Sequence, residues 1–273
     1  MVDDPGQRGQ PLATGGVTDV VRVGDTVRRT PRPTTASVHA LLRHVRSRGF
    51  VEVPEPLGWD EQGREVLSYV EGDVPDDPLP AEVTTVDVLV ALARLIRRLH
   101  DAVDGWTPPP GARWGAIPGT PDLGDLPPLV EVPEIVSHQD YCPGNVVFRG
   151  GLPAALIDFD LARPTTRVLD AVNALYWWVP LVAPEDRPPS LVDADVPARV
   201  RAFVDAYGMT TEQRARVVPA AVLRAQHSIR TMRAAADVHP VFRRWWDGGL
   251  DVRLPRTAAW IAAEAPRIDA ALR

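Results

Sequence analysis

The pattern of apolar and polar residues divides the chain into two regimes. Up to Tyr69 the apolar runs are short and bounded by Gly, Pro, Asn or Asp. Val17 to Val23, Thr26 to Arg29, Leu57 to Asp60 and Glu65 to Tyr69 read as strands, with turns at Gly15-Gly16, Gly24-Asp25 and around Glu61-Gln-Gly63. One helix interrupts them, capped near Thr34 or Thr35 and running to about Arg48. From Thr84 or Thr85 onward the period lengthens: Val88, Leu89, Leu92, Leu95, Ile96 and Leu99 recur at spacings of three and four, a core helix ending near His100-Asp101. More helices are predicted over Ala171 to Trp178, Val196 to Tyr207, Thr211 to Ala236, Pro240 to Trp246 and Arg253 to Leu272, the last broken at Pro266. Asp73 to Pro80 reads as a linker, and residues 105 to 128, rich in Pro and Gly, as a long loop. The expectation is an α+β protein with a small sheet-rich part over residues 1–72 and a larger, mainly helical part over 73–273.

Composition narrows the chemistry. All 30 basic residues are arginine, which excludes a Walker P-loop with its Gly-Lys-Ser/Thr. The net charge of −6 argues against nucleic-acid binding. Cys142, the single cysteine, forms no internal disulfide or Cys-based zinc cluster and reads as a small loop filler. No apolar run approaches the roughly 20 residues of a membrane helix, and the start MVDDPGQRGQ is unlike a signal peptide. A cytoplasmic protein is expected.

The candidate chemistry lies in Ser137 to Asp160, SHQDYCPGNVVFRGGLPAALIDFD. His138, Asp140 and Asn145 make an H-x-D-x-x-x-x-N loop. A hairpin through Gly150-Gly151 then returns the chain so that Asp158 stands beside Asn145. A hydroxyl attacking a terminal phosphate needs a proton acceptor, which Asp140 can be. Magnesium takes oxygen ligands, which Asp158 and the Asn145 side-chain carbonyl can supply. His138 reads as a brace for the loop. Asp160 reads as a further phosphate or metal contact or as a loop holder, and Asp170 as a helix N-cap.

This loop and its D-F-D resemble those of the aminoglycoside phosphotransferase family, which shares the protein-kinase fold and includes choline, homoserine and macrolide kinases. The resemblance implies a two-lobed kinase-like fold and transfer of phosphate from ATP or GTP to a hydroxyl of a small molecule. It implies Asp140 as catalytic base, Asn145 and Asp158 as magnesium ligands, and Asp170 as a brace under the loop. It also implies that the Gly15-Gly16 turn covers the nucleotide phosphates, that Val27 faces adenine, and that Tyr69 and Val70 form the hinge whose backbone meets it.

Two departures stand out. Where the family's third strand carries a lysine, Thr26-Val-Arg-Arg29 offers arginines; alternation puts Arg29 on the face of Val27 and Arg28 towards solvent. The following helix has no acidic residue to pair with it, and His39 lies near the place where one is expected. The phosphate clamp is therefore either built differently or missing, and a non-catalytic nucleotide-binding relative stands as the alternative. From Thr211 to Arg273 the charge is +5, against −11 for the first 210 residues. That balance favours an acceptor less cationic than an aminoglycoside, or even an anionic one. Of Trp177, Trp178, Trp245, Trp246 and Trp260, most are expected in the core.

Overall fold

In the computed structural model, residues 10–13, 20–75 and 78–273 are described. Five short strands, β1 (Gln10–Ala13), β2 (Val20–Val23), β3 (Thr26–Arg29), β4 (Pro56–Trp59) and β5 (Glu65–Ser68), form an antiparallel sheet in the order β1-β2-β3-β5-β4. Gly24, at φ 59°, makes the tight turn between β2 and β3. The register then sets Arg29 of β3 opposite Glu65 of β5, a pairing that governs the site below. Helix α1 (Thr35–Ser47) buries Val38, Leu41, Leu42 and Val45. Gly15 and Gly16 lie outside the described residues.

The helical lobe is built on α2 (Val86–Ala102), whose cap Thr85 accepts from the Val88 N–H. Its stripe from Val88 to Leu99 is almost wholly buried. Around it stand α3 (Arg167–Trp178), α4 (Val196–Tyr207), α5 (Thr211–Val238), α6 (Pro240–Trp245) and α7 (Asp251–Leu272). Helix α5 opens with a reciprocal capping box between Thr210 and Gln213. Two expectations are corrected. Helix α3 starts at Arg167 and its cap is Thr166, which accepts from Leu169 N–H; Asp170 is inside the first turn and does not cap. Helix α7 continues through Pro266 without ending there.

Two small ladders position the candidate site. β6 (Ile135–Ser137) pairs with β9 (Arg163–Thr165), and β7 (Val146–Arg149) with β8 (Leu152–Leu156) through the predicted Gly150-Gly151 turn, both glycines at positive φ. One ladder fixes where the His138–Asn145 segment begins and the other where it ends. The segment between the lobes is stitched to the same hairpin by reciprocal backbone bonds between Asp73 and Phe148 of 3.0 and 2.7 Å. The loop over residues 105–128 is pinned to both lobes: Arg113 N–H donates to Ser37 Oγ on α1, Gly115 N–H to the Ala162 carbonyl, and Arg230 on α5 to the Asp122 carbonyl. A Cβ on Gly115 would fall 1.8 Å from the Asp160 carbonyl oxygen, so only glycine fits there. Among the described residues, no helix is long and apolar enough to cross a membrane.

Candidate active site

The His138–Asn145 loop is held from beneath by one carboxylate. Asp170, fully buried, accepts from Gln139 N–H (3.0 Å) and Gln139 Nε2 (2.7 Å) with Oδ1, and from Tyr141 O–H (2.5 Å) with Oδ2. The same Oδ2 lies 2.6 Å from His100 Nε2, whose Nδ1 is 2.6 Å from the Tyr207 hydroxyl. Burial opposes ionisation, but these bonds outweigh it and hold the Asp170 carboxyl at a pKa of about 2. His100 is thus a structural residue, and Asp170 is the predicted brace. Gln139, in the left-handed region at φ 62°, turns the chain so that Asp140 follows.

His138 braces the loop as expected, and its tautomer follows from its partners. Asp140 N–H donates to Nδ1 (3.2 Å), which leaves Nε2–H to donate to the Ile157 carbonyl (2.8 Å). Asn145 Nδ2 donates to both the carbonyl and Oδ2 of Asp140, each at 3.0 Å. With its amide nitrogen so engaged, the Asn145 side chain has its carbonyl oxygen left for a cation. Ile157 N–H donates to the Asn145 carbonyl at 3.0 Å, which brings Asp158 next to Asn145. Burial, then repulsion from Asp158, raises the Asp140 pKa above the ordinary carboxylate value, partly offset by His138. Burial also pushes the Cys142 thiol well up, so it is protonated and unreactive.

The arginine on β3 has an acidic partner, but on a strand and not on the helix. Arg29 is buried; its Nε donates to Glu65 Oε2 at 2.5 Å, its Nη2 is 2.9 Å from Asp160 Oδ1, and its Nη1 is 3.4 Å from Asp158 Oδ1. Glu65, 0% exposed, comes from the adjoining strand rather than from the helix. His39 supplies the contribution of the helix, its Nε2 lying 2.8 Å from Glu65 Oε1. Burial raises the Glu65 pKa, but His39 and Arg29 lower it further, so its carboxylate stays ionised. Arg32 adds a second guanidinium, 3.1 Å from Asp160 Oδ2. Arg28 faces away and pairs with Asp60 at 3.3 Å.

This arrangement was compared with known proteins. A model of the phosphotransferase enzyme family, APH, matches residues 9–218. The chain belongs to that family. The trifolitoxin immunity protein of Rhizobium leguminosarum bv. trifolii is 31% identical over 274 residues, covering 96% of this chain and 97% of its own length. Among solved structures, amicoumacin kinase in complex with AMP-PNP and Ca2+ superposes with a TM-score of 0.62 at 14% identity, over 97% of this chain and 89% of that one. A choline/ethanolamine kinase family protein from Mesorhizobium loti gives 0.61 at 19% identity, over 97% and 92%. At these identities the likeness shows the fold, a two-lobed kinase-like one with a small antiparallel sheet and a larger helical lobe. Membership makes the protein a small-molecule kinase that draws on a nucleotide phosphate donor.

For this phosphotransferase, the residues present fit a divalent cation. Glu65, Asp158, Asp160 and Asp140 bring four carboxylates to a region where Arg29 and Arg32 bring two guanidiniums, a surplus of negative charge. The Asp158 carboxylate is about half exposed, with long contacts of 3.4 Å to Arg29 and to Asp160 N–H. Among the described residues no three His, Cys, Asp or Glu form a metal cage.

Of the residues expected at the hinge, Tyr69 has its N–H already engaged, donating to the Asp25 carbonyl at 2.8 Å. Val27 sits on β3 two residues before Arg29, cross-strand from Leu67. Sequence reasoning missed Glu65, Gln139 and Tyr141, as well as Arg163 and Arg224, taken up below. A glutamate opening an otherwise apolar strand was the signal for Glu65; the others carried none. Trp178 is buried and donates to the Tyr141 carbonyl at 2.7 Å, whereas Trp177 and Trp245 are exposed, contrary to the expected core packing.

Proposed function

We propose that this kinase transfers the terminal phosphate of ATP, or GTP, to a hydroxyl of a small metabolite or antibiotic in the cytoplasm. Asp140 accepts the hydroxyl proton while the oxygen bonds to the terminal phosphorus and the bond to the departing nucleoside diphosphate breaks. Asn145 and Asp158 are the residues that would hold magnesium, which when bound neutralises charge on the phosphate oxygens. Arg29, held by Glu65, serves on the phosphate side in place of a lysine. Tyr69 and Val70 offer backbone groups to the base, Val27 offers an apolar contact, and the Gly15-Gly16 turn is assigned to the phosphates.

The observation that carries this reading is the Arg29–Glu65 pair reaching Asp158 and Asp160. It weakens the reason for reading the protein as a non-catalytic relative, since Arg29 does have a carboxylate partner, on another strand. The relative's role in immunity to trifolitoxin is in keeping with an antibiotic or toxin as acceptor.

Magnesium-dependent ADP release over aminoglycosides, macrolides, amino alcohols, sugars and hydroxy acids tests the proposal. Asp140→Ala should lower the rate by about 100-fold or more, and Asp158→Asn should abolish the magnesium dependence. Because protonated Asp140 is inactive, kcat/KM should rise with pH through a limb above the ordinary carboxylate value of about 4. ADP release that survives Asp140→Ala unchanged would reject the assignment.

A further inference from the structure

Two guanidiniums beside the catalytic loop are left unused by the chemistry above. Arg163, at the start of β9, donates from Nη2 to Gln139 Oε1 at 3.2 Å, one residue from Asp140. Arg224, on α5, places its Cζ 4.9 Å from the ring centroid of Tyr176 on α3. Both lie within the field of Asp140, and burial lowers the pKa of both below the usual arginine value. Arg253 of α7 adds positive charge on the Tyr176 side.

What these side chains lack is an anion. Among the described residues, neither Arg163 nor Arg224 forms an ion pair. Asp170, whose charge Arg163 feels, gives both oxygens to His100, Tyr141 and Gln139. Asp186, whose charge reaches Tyr176, is gripped by Arg256. Another buried arginine shows that an anion is not the only way to satisfy such a group: Arg199 donates to the carbonyls of Val179, Thr84 and Trp178 at 2.8–2.9 Å. Among the described residues Arg224 donates to no such carbonyls; it packs over the ring of Tyr176 and lines a small cavity with Ser228, Leu254 and Thr257. A half-buried guanidinium beside Asp140, with donors left over and no carboxylate on it, is a seat for carboxylate or phosphate.

We propose that Arg163 and Arg224 bind an anionic group of the acceptor, so that the substrate is a hydroxyl compound carrying a carboxylate or phosphate near the hydroxyl that Asp140 activates. The inference rests on the phosphotransferase reading of Asp140. It gives the positive balance of the C-terminal helices a local purpose: two guanidiniums repel a polycation and offset the repulsion between an anionic acceptor and Asp140.

The test is calorimetric titration of the protein saturated with magnesium and AMP-PNP, so that binding is read without turnover. Glycerate, 4-hydroxybutyrate and glycerol 3-phosphate would be compared with the methyl esters of the two acids, with glycerol, and with ethanolamine. At least one anion should bind about tenfold or more tightly than its neutral counterpart, the size of a charge-assisted hydrogen bond. Arg224→Gln and Arg163→Gln should each erase that preference while leaving the neutral compound unchanged, and Arg224→Lys should restore part of it. Comparison of glycerol 3-phosphate with the hydroxy acids tells phosphate from carboxylate. Equal or weaker binding of every anion, or a preference that survives Arg224→Gln, overturns the inference. Arginine-dependent anion binding without any ADP release would instead count against the kinase reading alone. Turnover of neutral or cationic alcohols, insensitive to Arg224→Gln, would count against this inference alone.

Discussion

The two flanks of the His138–Asn145 loop, one around Arg29 and one around Arg163 and Arg224, carry charge surpluses of opposite sign. On the first, Arg29 is shared by Glu65, Asp158 and Asp160, and carboxylates outnumber guanidiniums; Coulombic attraction drives the proton affinity of Arg29 up despite burial. On the second, Arg224 has a tyrosine ring for company and burial drives its proton affinity down. The same residue type is thus an internal fastener in one place and, in the proposal above, a receptor in the other. The difference teaches that an arginine drawn from bulk water is read from the anions around it. A saturated one organises the protein, and an unsaturated one points to something the protein has yet to bind.

The sharpest way to break this comparison is Glu65→Ala. It leaves Arg29 and His39 without the buried carboxylate they share, and should cost about 3–5 kcal/mol in urea unfolding, with loss of nucleotide affinity. A cost under about 1 kcal/mol would show that Arg29 is not fastened by Glu65. Next in size is Asp170→Asn. The wild-type carboxyl holds its charge down to a pKa of about 2 when folded, whereas the unfolded chain takes up the proton near pH 4. Its contribution, about 2 kcal/mol, is therefore complete above about pH 4 and lost as pH falls from there to about 2. Acid titration of stability should show this segment in the wild type and not in the variant. Smaller again is Arg224→Ala, which should change the Tm of the ligand-free protein little, within about 0.5 kcal/mol, in contrast to a marked loss for Arg29→Ala. Equal losses would erase the distinction drawn here. Smallest is Arg28→Ala: Asp60 keeps Arg64 at 2.8 Å, so nucleotide affinity should not change measurably in a titration.

How much of this was legible in the sequence follows from how local each feature is. The Asp140–Asn145–Asp158 hairpin could be read because turn residues, strand lengths and spacing all lie within one short stretch. The stripe of α2 and the bounds of α4 were legible for the same reason, as helical period is a local property. The partner of Arg29 was not legible, because the Arg29–Glu65 contact depends on which strand lies next to β3 and in what register, and letters alone do not fix that. The expectation searched the helix, where His39 stands, and the acid was one element further on. Asp170 was misplaced as a cap because an Asp directly before the apolar run Ala171 to Trp178 has the composition of one, whereas the helix opens a turn earlier, at Arg167. Arg163 and Arg224 share no motif; only the fold brings them to one place.

The cross-strand placement of Glu65 has a consequence for control. In protein kinases the acid rides on a mobile helix, and activity is regulated by moving that helix until the pair makes or breaks. Here acid and base are rungs of one ladder, and parting them means unzipping β3 from β5. A shift of α1 alone would withdraw His39 from Glu65 and leave Arg29 and Glu65 facing each other across the ladder.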